Sequence, residues 1–155
     1  MVRVIIGGTF DTLHRGHREF LKTAFSLGDE VLIGITSDRM ARKKPLPYKI
    51  SDFRTRKKNL MEFLDKNFPR PLLYKIIKIE DPFKPGLGED LDVIIVSPGT
   101  RRNANKINLL RSRNGLKPLK IVQIPWVLAG DGKPISDLRI RRKEIDCKGR
   151  VLKKP

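Results

Sequence analysis

A chain of 155 residues is long enough to bury one core without a structural metal or cross-links, and too short for two independent domains. Its single cysteine, Cys147, excludes an intrachain disulfide, and no apolar run approaches membrane-spanning length or the length a signal peptide needs, so a soluble cytoplasmic protein is expected. The 34 Lys and Arg against 17 Asp and Glu give a formal charge of +17 and a pI near 10.4, which favours anionic partners, although a solvated, ion-paired surface would produce the same figure.

Val2 to Ile6 is β-branched and ends at Gly7-Gly8, which predicts a buried strand running into a tight turn. From Gly16 to Leu27, Phe20, Leu21, Ala24, Phe25 and Leu27 recur at helical spacing, with Gly28-Asp29 as the stop. Val31 to Ile35 is a second strand. A basic loop through Arg42 to Pro45 leads to a helix at about 51–66, capped by Ser51 or Asp52, and then a strand at 72–79. Thr55, Arg56 and the lysines after them read as surface residues of that helix, with Arg54 placed to face a bound ligand. Asp81 to Pro85 reads as a rigid loop, 91–96 as a strand, 103–113 as a helix and 119–124 as a strand ending near Pro125-Trp126. Trp126 fits a core or rim position better than a stacking platform. Ser136 is placed to cap a last short helix to Lys143. Strands alternating with helices predict an α/β, Rossmann-like, doubly wound parallel sheet of about five strands with helices on both faces. One domain is expected over 1–147, followed by a basic, disordered tail at 148–155.

In such sheets ligands sit beyond the carboxyl ends of the strands, where the strand order reverses. Gly7-Gly8-Thr9-Phe10-Asp11 leaves the first strand there, and His14-Arg15-Gly16-His17 opens the first helix. The glycines allow close approach of a ligand, and a helix N-terminus offers amides and a positive dipole end to an anion. His14 and His17, three residues apart, can reach one side of the same group. Taken separately, these features also describe a plain turn and a half-exposed helix start; a zinc site lacks a third ligand at familiar spacing.

Gly8-Thr9-Phe10-Asp11 with His14-Arg15-Gly16-His17 resembles the G-T-F-D and H-x-G-H signature of a nucleotidyltransferase superfamily. Ile135-Ser136-Asp137-Leu138-Arg139-Ile140-Arg141 is similar to that superfamily's I-S-S-T-x-x-R segment, which opens a helix over the nucleotide phosphates. Ser136, Arg139 and Arg141 fit, whereas Asp137 and Leu138 replace two hydroxyl residues. A carboxylate at Asp137 would repel phosphates, contact magnesium or cap the helix. Asp81 to Gly86, Val96 to Thr100, Lys106 to Arg111, Gly115 to Leu119, Gly130 to Ser136 and Glu144 to Asp146 together resemble the archaeal and eukaryotic type of phosphopantetheine adenylyltransferase.

That resemblance implies adenylyl transfer from ATP to 4′-phosphopantetheine, giving dephospho-coenzyme A and pyrophosphate, with Mg²⁺ as cofactor. It implies that Gly8, Thr9, Phe10, His14, Gly16, His17, Arg111, Ser136 and Arg139 serve the nucleotide. His14 would grip the triphosphate and His17 would stabilise the transition state. Thr9, Lys43 and Asn108 would serve the acceptor, with Lys43, or Lys44 in its place, bridging the reacting groups. Phe10 would pack beneath the phosphate loop. Other readings are a flavin adenylyltransferase (FAD synthetase), a cytidylyltransferase, or a basic nucleic-acid-binding module; nucleic acid is not expected, because the chain has no run of interleaved aromatics or recognised binding motif.

Overall fold

The computed structural model describes residues 1–43, 46–68 and 71–152. Five strands, β1 (Arg3–Gly8), β2 (Glu30–Thr36), β3 (Tyr74–Ile79), β4 (Val93–Val96) and β5 (Lys120–Gln123), form one sheet in the order β3-β2-β1-β4-β5. Every pairing is parallel. The helices are α1 (Arg15–Leu27), α2 (Asp38–Ala41), α3 (Phe53–Asn67), α4 (Arg101–Arg113) and α5 (Asp137–Arg141), with a 3-10 turn at Lys84–Leu87.

Alternation along β1 divides the core. Val4 and Ile6 join Val31, Ile33, Leu21, Leu60 and Leu64 on the face covered by α1 and α3, while Ile5 joins Ile94, Val96, Ala104 and Ile107 under α4. A strand buried on both faces needs a continuous apolar run, which is what β1 and β4 carry. Each fully buried Leu or Ile here contributes roughly 1.5–3 kcal/mol relative to exposure. Because α1 and α3 lie on one face and α4 on the other, the chain reverses direction across β1. A crevice therefore opens between the carboxyl ends of β1 and β4, where the connections diverge.

Three local features differ from the sequence reading, and a fourth settles an alternative it left open. A helical turn, α2, follows β2 directly, capped by Ser37 whose Oγ accepts from the Met40 amide at 3.2 Å. Asp52, not Ser51, caps α3, accepting from Thr55 N at 2.8 Å. The loop at 81–85 winds into the 3-10 turn. Lys148 to Leu152 is not a free tail: Gly149 is buried, its carbonyl accepts from Gly130 N at 2.9 Å, and Leu152 N donates to Glu144 O at 2.8 Å. These bonds fold the segment onto a small apolar cluster of Ala129, Ile135 and Ile145.

Candidate active site

β1 delivers the first loop to the crevice. Phe10 adopts a left-handed backbone conformation (φ 51°), which is uncommon for an aromatic residue and occurs where surrounding structure over-determines it. Its ring is buried beneath the loop, and its centroid lies 5.2 Å from that of His17. A Cβ on Gly8 would come within 3.1 Å of that ring, so the loop closes over Phe10 with little to spare.

The start of α1 departs from the sequence expectation in an informative way. His14 is the N-cap: its Nδ1 accepts from the Gly16 amide at 3.0 Å and the His17 amide at 3.4 Å, while His17 Nδ1 accepts from the His14 amide at 3.3 Å. This is a capping box built from two imidazoles in place of the usual hydroxyl and carboxylate. A Cβ on Gly16 would lie 2.7 Å from His14 Cε1, so glycine is required for the imidazole to fold over the helix end. The amides expected to be free for an anion are thus occupied, and Arg15 N is bonded to Cys147 O at 2.8 Å. Donation to an anion at this point falls to the imidazoles.

With Nδ1 of each ring accepting, a neutral ring carries its proton on Nε2. Both rings are neutral near pH 7. Burial pushes His14 down to about 4, and burial, followed by the neighbouring His14, pushes His17 down to about 3. The rings stack with centroids 3.9 Å apart and both border a cleft of about 230 Å³ at the crevice. Ser97 and Thr100 from the loop after β4, and Trp126 from the segment after β5, complete its wall. Trp126 is half exposed, a rim residue as its strand-end position predicts.

The remaining predicted residues scatter. Gly8, Phe10, His14, Gly16 and His17 come together at the cleft. Thr9 lies beside them; its carbonyl accepts from Arg56 at 3.0 Å and its hydroxyl from Thr36 at 3.4 Å. Ser136 caps α5, accepting from Arg139 N at 3.3 Å, so Asp137 is not the cap; it stands in the first helical turn with Oδ1 3.7 Å from His14 Nε2. Arg139 turns its guanidinium to Asp131, Glu144 and the carbonyls of Lys133 and Pro134, bracing the segment before α5 rather than lining the cleft. Lys43 is exposed beyond α2, where its charge helps keep Asp81 ionised, after the amides of Phe83 and Lys84. Lys44 lies outside the described residues.

Asn108 and Arg111 are not brought to the cleft. Asn108 pairs with both backbone groups of Leu119, donating at 2.9 Å and accepting at 2.7 Å. Arg111 is buried and donates to the carbonyls of Gly86, Gly88 and Lys117 at 2.7–2.9 Å. Their spacing on α4 marks the face that docks the 3-10 turn and the approach to β5, because main-chain carbonyls buried there need donors.

Three residues gain importance only in the structure. Asp11, whose side chain is 1% exposed, accepts from Ser51 N at 3.0 Å and from Arg141 Nη2 at 2.5 Å, tying the first loop to α3 and α5. The Arg141 guanidinium also lies 4.5 Å from the Tyr48 ring centroid. Arg56, read from sequence as a surface residue, is fully buried; it donates to Ser51 O at 2.8 Å, Thr9 O at 3.0 Å, Thr36 Oγ1 at 3.3 Å and Asp38 Oδ1 at 2.9 Å. The signal was present, since Arg56, Leu60 and Leu64 share one face at i, i+4, i+8. Arg54, in contrast, is exposed.

Residues 5–143 match the family model for cytidylyltransferase-like proteins. A phosphopantetheine adenylyltransferase of Methanosarcina mazei is 41% identical over 155 residues, covering 99% of each chain. The chain belongs to this family. The phosphopantetheine adenylyltransferase of Pyrococcus abyssi is also 41% identical, over 98% of this chain and 96% of its own. A solved structure from Archaeoglobus fulgidus, described as a protein with unknown function, is 34% identical, with a TM-score of 0.70 over 81% of this chain and 99% of that one. The residues that carry the resemblance noted in the sequence, Gly8, Phe10, His14, Gly16 and His17, are gathered at the crevice.

Proposed function

We propose that this chain transfers the adenylyl group of ATP to 4′-phosphopantetheine, forming dephospho-coenzyme A and pyrophosphate. The observation that carries the reading is the stacked pair of neutral imidazoles bordering the cleft at the sheet's reversal point, in a chain that aligns end to end with proteins of that name. An acceptor phosphate oxygen attacks the α-phosphorus in line, a P–O bond forms, and the bond to the β-phosphate oxygen breaks with its electron pair leaving on pyrophosphate. The acceptor is already largely ionised near neutral pH, so no general base is required. Catalysis is then positioning and charge stabilisation.

In this mechanism His17 Nε2–H donates to the non-bridging oxygens as charge builds on them. A neutral ring suits this role, because its fixed N–H dipole needs no proton taken up from solvent. His14 holds the triphosphate through Nε2, while its Nδ1 holds the helix. Thr9 positions the acceptor phosphate, with its main chain held by Arg56. Lys43 bridges the reacting groups, with Arg139 and Ser136 organising the α5 side. A cavity of about 760 Å³ bordered by Asp38, Arg42, Tyr48 and Thr55 has room for the pantetheine arm.

Mg²⁺ would be carried on the triphosphate and would neutralise part of its charge. The triphosphate oxygens would be its ligands, with Asp137, 3.7 Å from His14 Nε2, as the carboxylate on the α5 side. Among the described residues no helix is long and apolar enough to cross a membrane, and we place the activity in the cytoplasm. The test is pyrophosphate release from ATP or CTP with each of several phosphate acceptors. Release with ATP and phosphopantetheine is expected; release only with CTP, or only with another acceptor such as flavin mononucleotide, overturns the assignment.

A further inference from the structure

Behind the first helix turn lies a third cavity, of about 780 Å³, that the reaction does not use. Arg15 and Arg18 enter it from α1, Lys66 from the end of α3, and Lys148 from the segment held against α1 by the Arg15 N to Cys147 O bond. Four of its nine lining residues are Lys or Arg and none is Asp or Glu, whereas cations are 34 of 155 in the whole chain. The positive lining therefore exceeds what the basic composition alone provides. Among the described residues Arg15, Lys66 and Lys148 form no ion pair, and Arg18 only reaches Glu19 at 3.9 Å.

We propose that this cavity binds a small molecule carrying two or more linked phosphate groups. Cations from three separate segments around one void repel one another, and an anion between them relieves that repulsion. The carboxyl end of α3 opposes this with about half a negative charge, too little to offset four full positive ones. A chain of linked phosphates offers more oxygens and more charge than a single phosphate to cations entering from three segments. Phe63 supplies an apolar wall for an organic portion of the ligand. The cavity borders the imidazole cleft only through His14, so the two sites are separable by substitution.

Cys147 lines the cavity, is exposed and is the chain's only thiol, so its alkylation reports occupancy directly. The experiment measures the rate of Cys147 reaction with neutral iodoacetamide at constant ionic strength, with and without inorganic tripolyphosphate, AMP or a short single-stranded DNA. At ten times its dissociation constant, tripolyphosphate slows the reaction about tenfold. AMP has little effect. The double variant Arg18→Glu with Lys66→Glu, both changes on exposed side chains, abolishes the protection, read as the ratio of that variant's own rates with and without tripolyphosphate, while leaving the folded circular-dichroism spectrum unchanged. Three outcomes overturn the proposal: no protection by tripolyphosphate, protection that survives in the double variant and so arises from the imidazole cleft, or protection by DNA alone.

Discussion

Replacing Arg56 with Met keeps an unbranched side chain of similar length but removes every donor. Thr36 Oγ1 keeps the Thr9 hydroxyl as partner, and Asp38, 41% exposed, can turn to water. The carbonyls of Ser51 and Thr9 lose the guanidinium donors that now satisfy them. Each part-buried carbonyl left without its donor costs about 1–3 kcal/mol, so for the two together about 4 kcal/mol of destabilisation is expected. With a urea slope of about 1–3 kcal/mol per molar, the unfolding midpoint falls by about 2 M. Urea titration followed by circular dichroism measures it. Arg56→Lys, which retains charge but loses the planar fork, falls between the two. Turnover of the Met variant also drops, because Thr9 loses its tether. A midpoint within about 0.5 M of the parent at unchanged slope would refute the claim that Arg56 holds the first loop.

His17→Ala is expected to lower kcat by roughly 10²–10³ with KM for ATP little changed, since its donor acts as charge develops; equal effects on both would contradict the role, as steady-state kinetics will reveal. Both imidazoles have folded pKa values depressed below the usual 6.5, to about 4 and 3, so they oppose folding when charged: stability is full above about 6.5 and is lost as pH falls towards those folded values, a trend measurable by thermal melts at a series of pH values. Activity should likewise be insensitive to these groups between pH 6 and 8, and a histidine inflection near 6.5 in kcat would count against neutral rings. Asp137→Ser removes a carboxylate 3.7 Å from His14 and is expected to lower KM for ATP by up to about tenfold without reducing kcat; a collapse in turnover would make Asp137 a needed ligand. Asn108→Ala should cost about 1–3 kcal/mol in urea unfolding while kcat at saturating substrate stays within about twofold, the reverse of a substrate-contact variant.

Much of the architecture was legible because its cause is local. The apolar run of β1, the helical periodicity of α1 and the cap residues each depend on neighbours within a few positions, so their elements could be placed to within a few residues. The glycine turn and the two histidines could be assigned to one site for the same reason, since the strand-to-helix connection holds them together whatever the rest of the chain does. The sequence by itself thus determined a doubly wound parallel sheet and the corner where the glycine turn meets the two histidines. Only tertiary structure decided how long polar side chains are used. Arg56 reads in the sequence as a solvent-facing cation and Arg111 as a nucleotide contact, yet both are buried because carbonyls from distant segments converge on them, and a carbonyl removed from water needs a donor. The same applies to Asp11 with Arg141, 130 residues apart, and to the amides at the start of α1. Local patterning says which residues must leave water; which polar group meets which inside is settled by the packing of the whole chain.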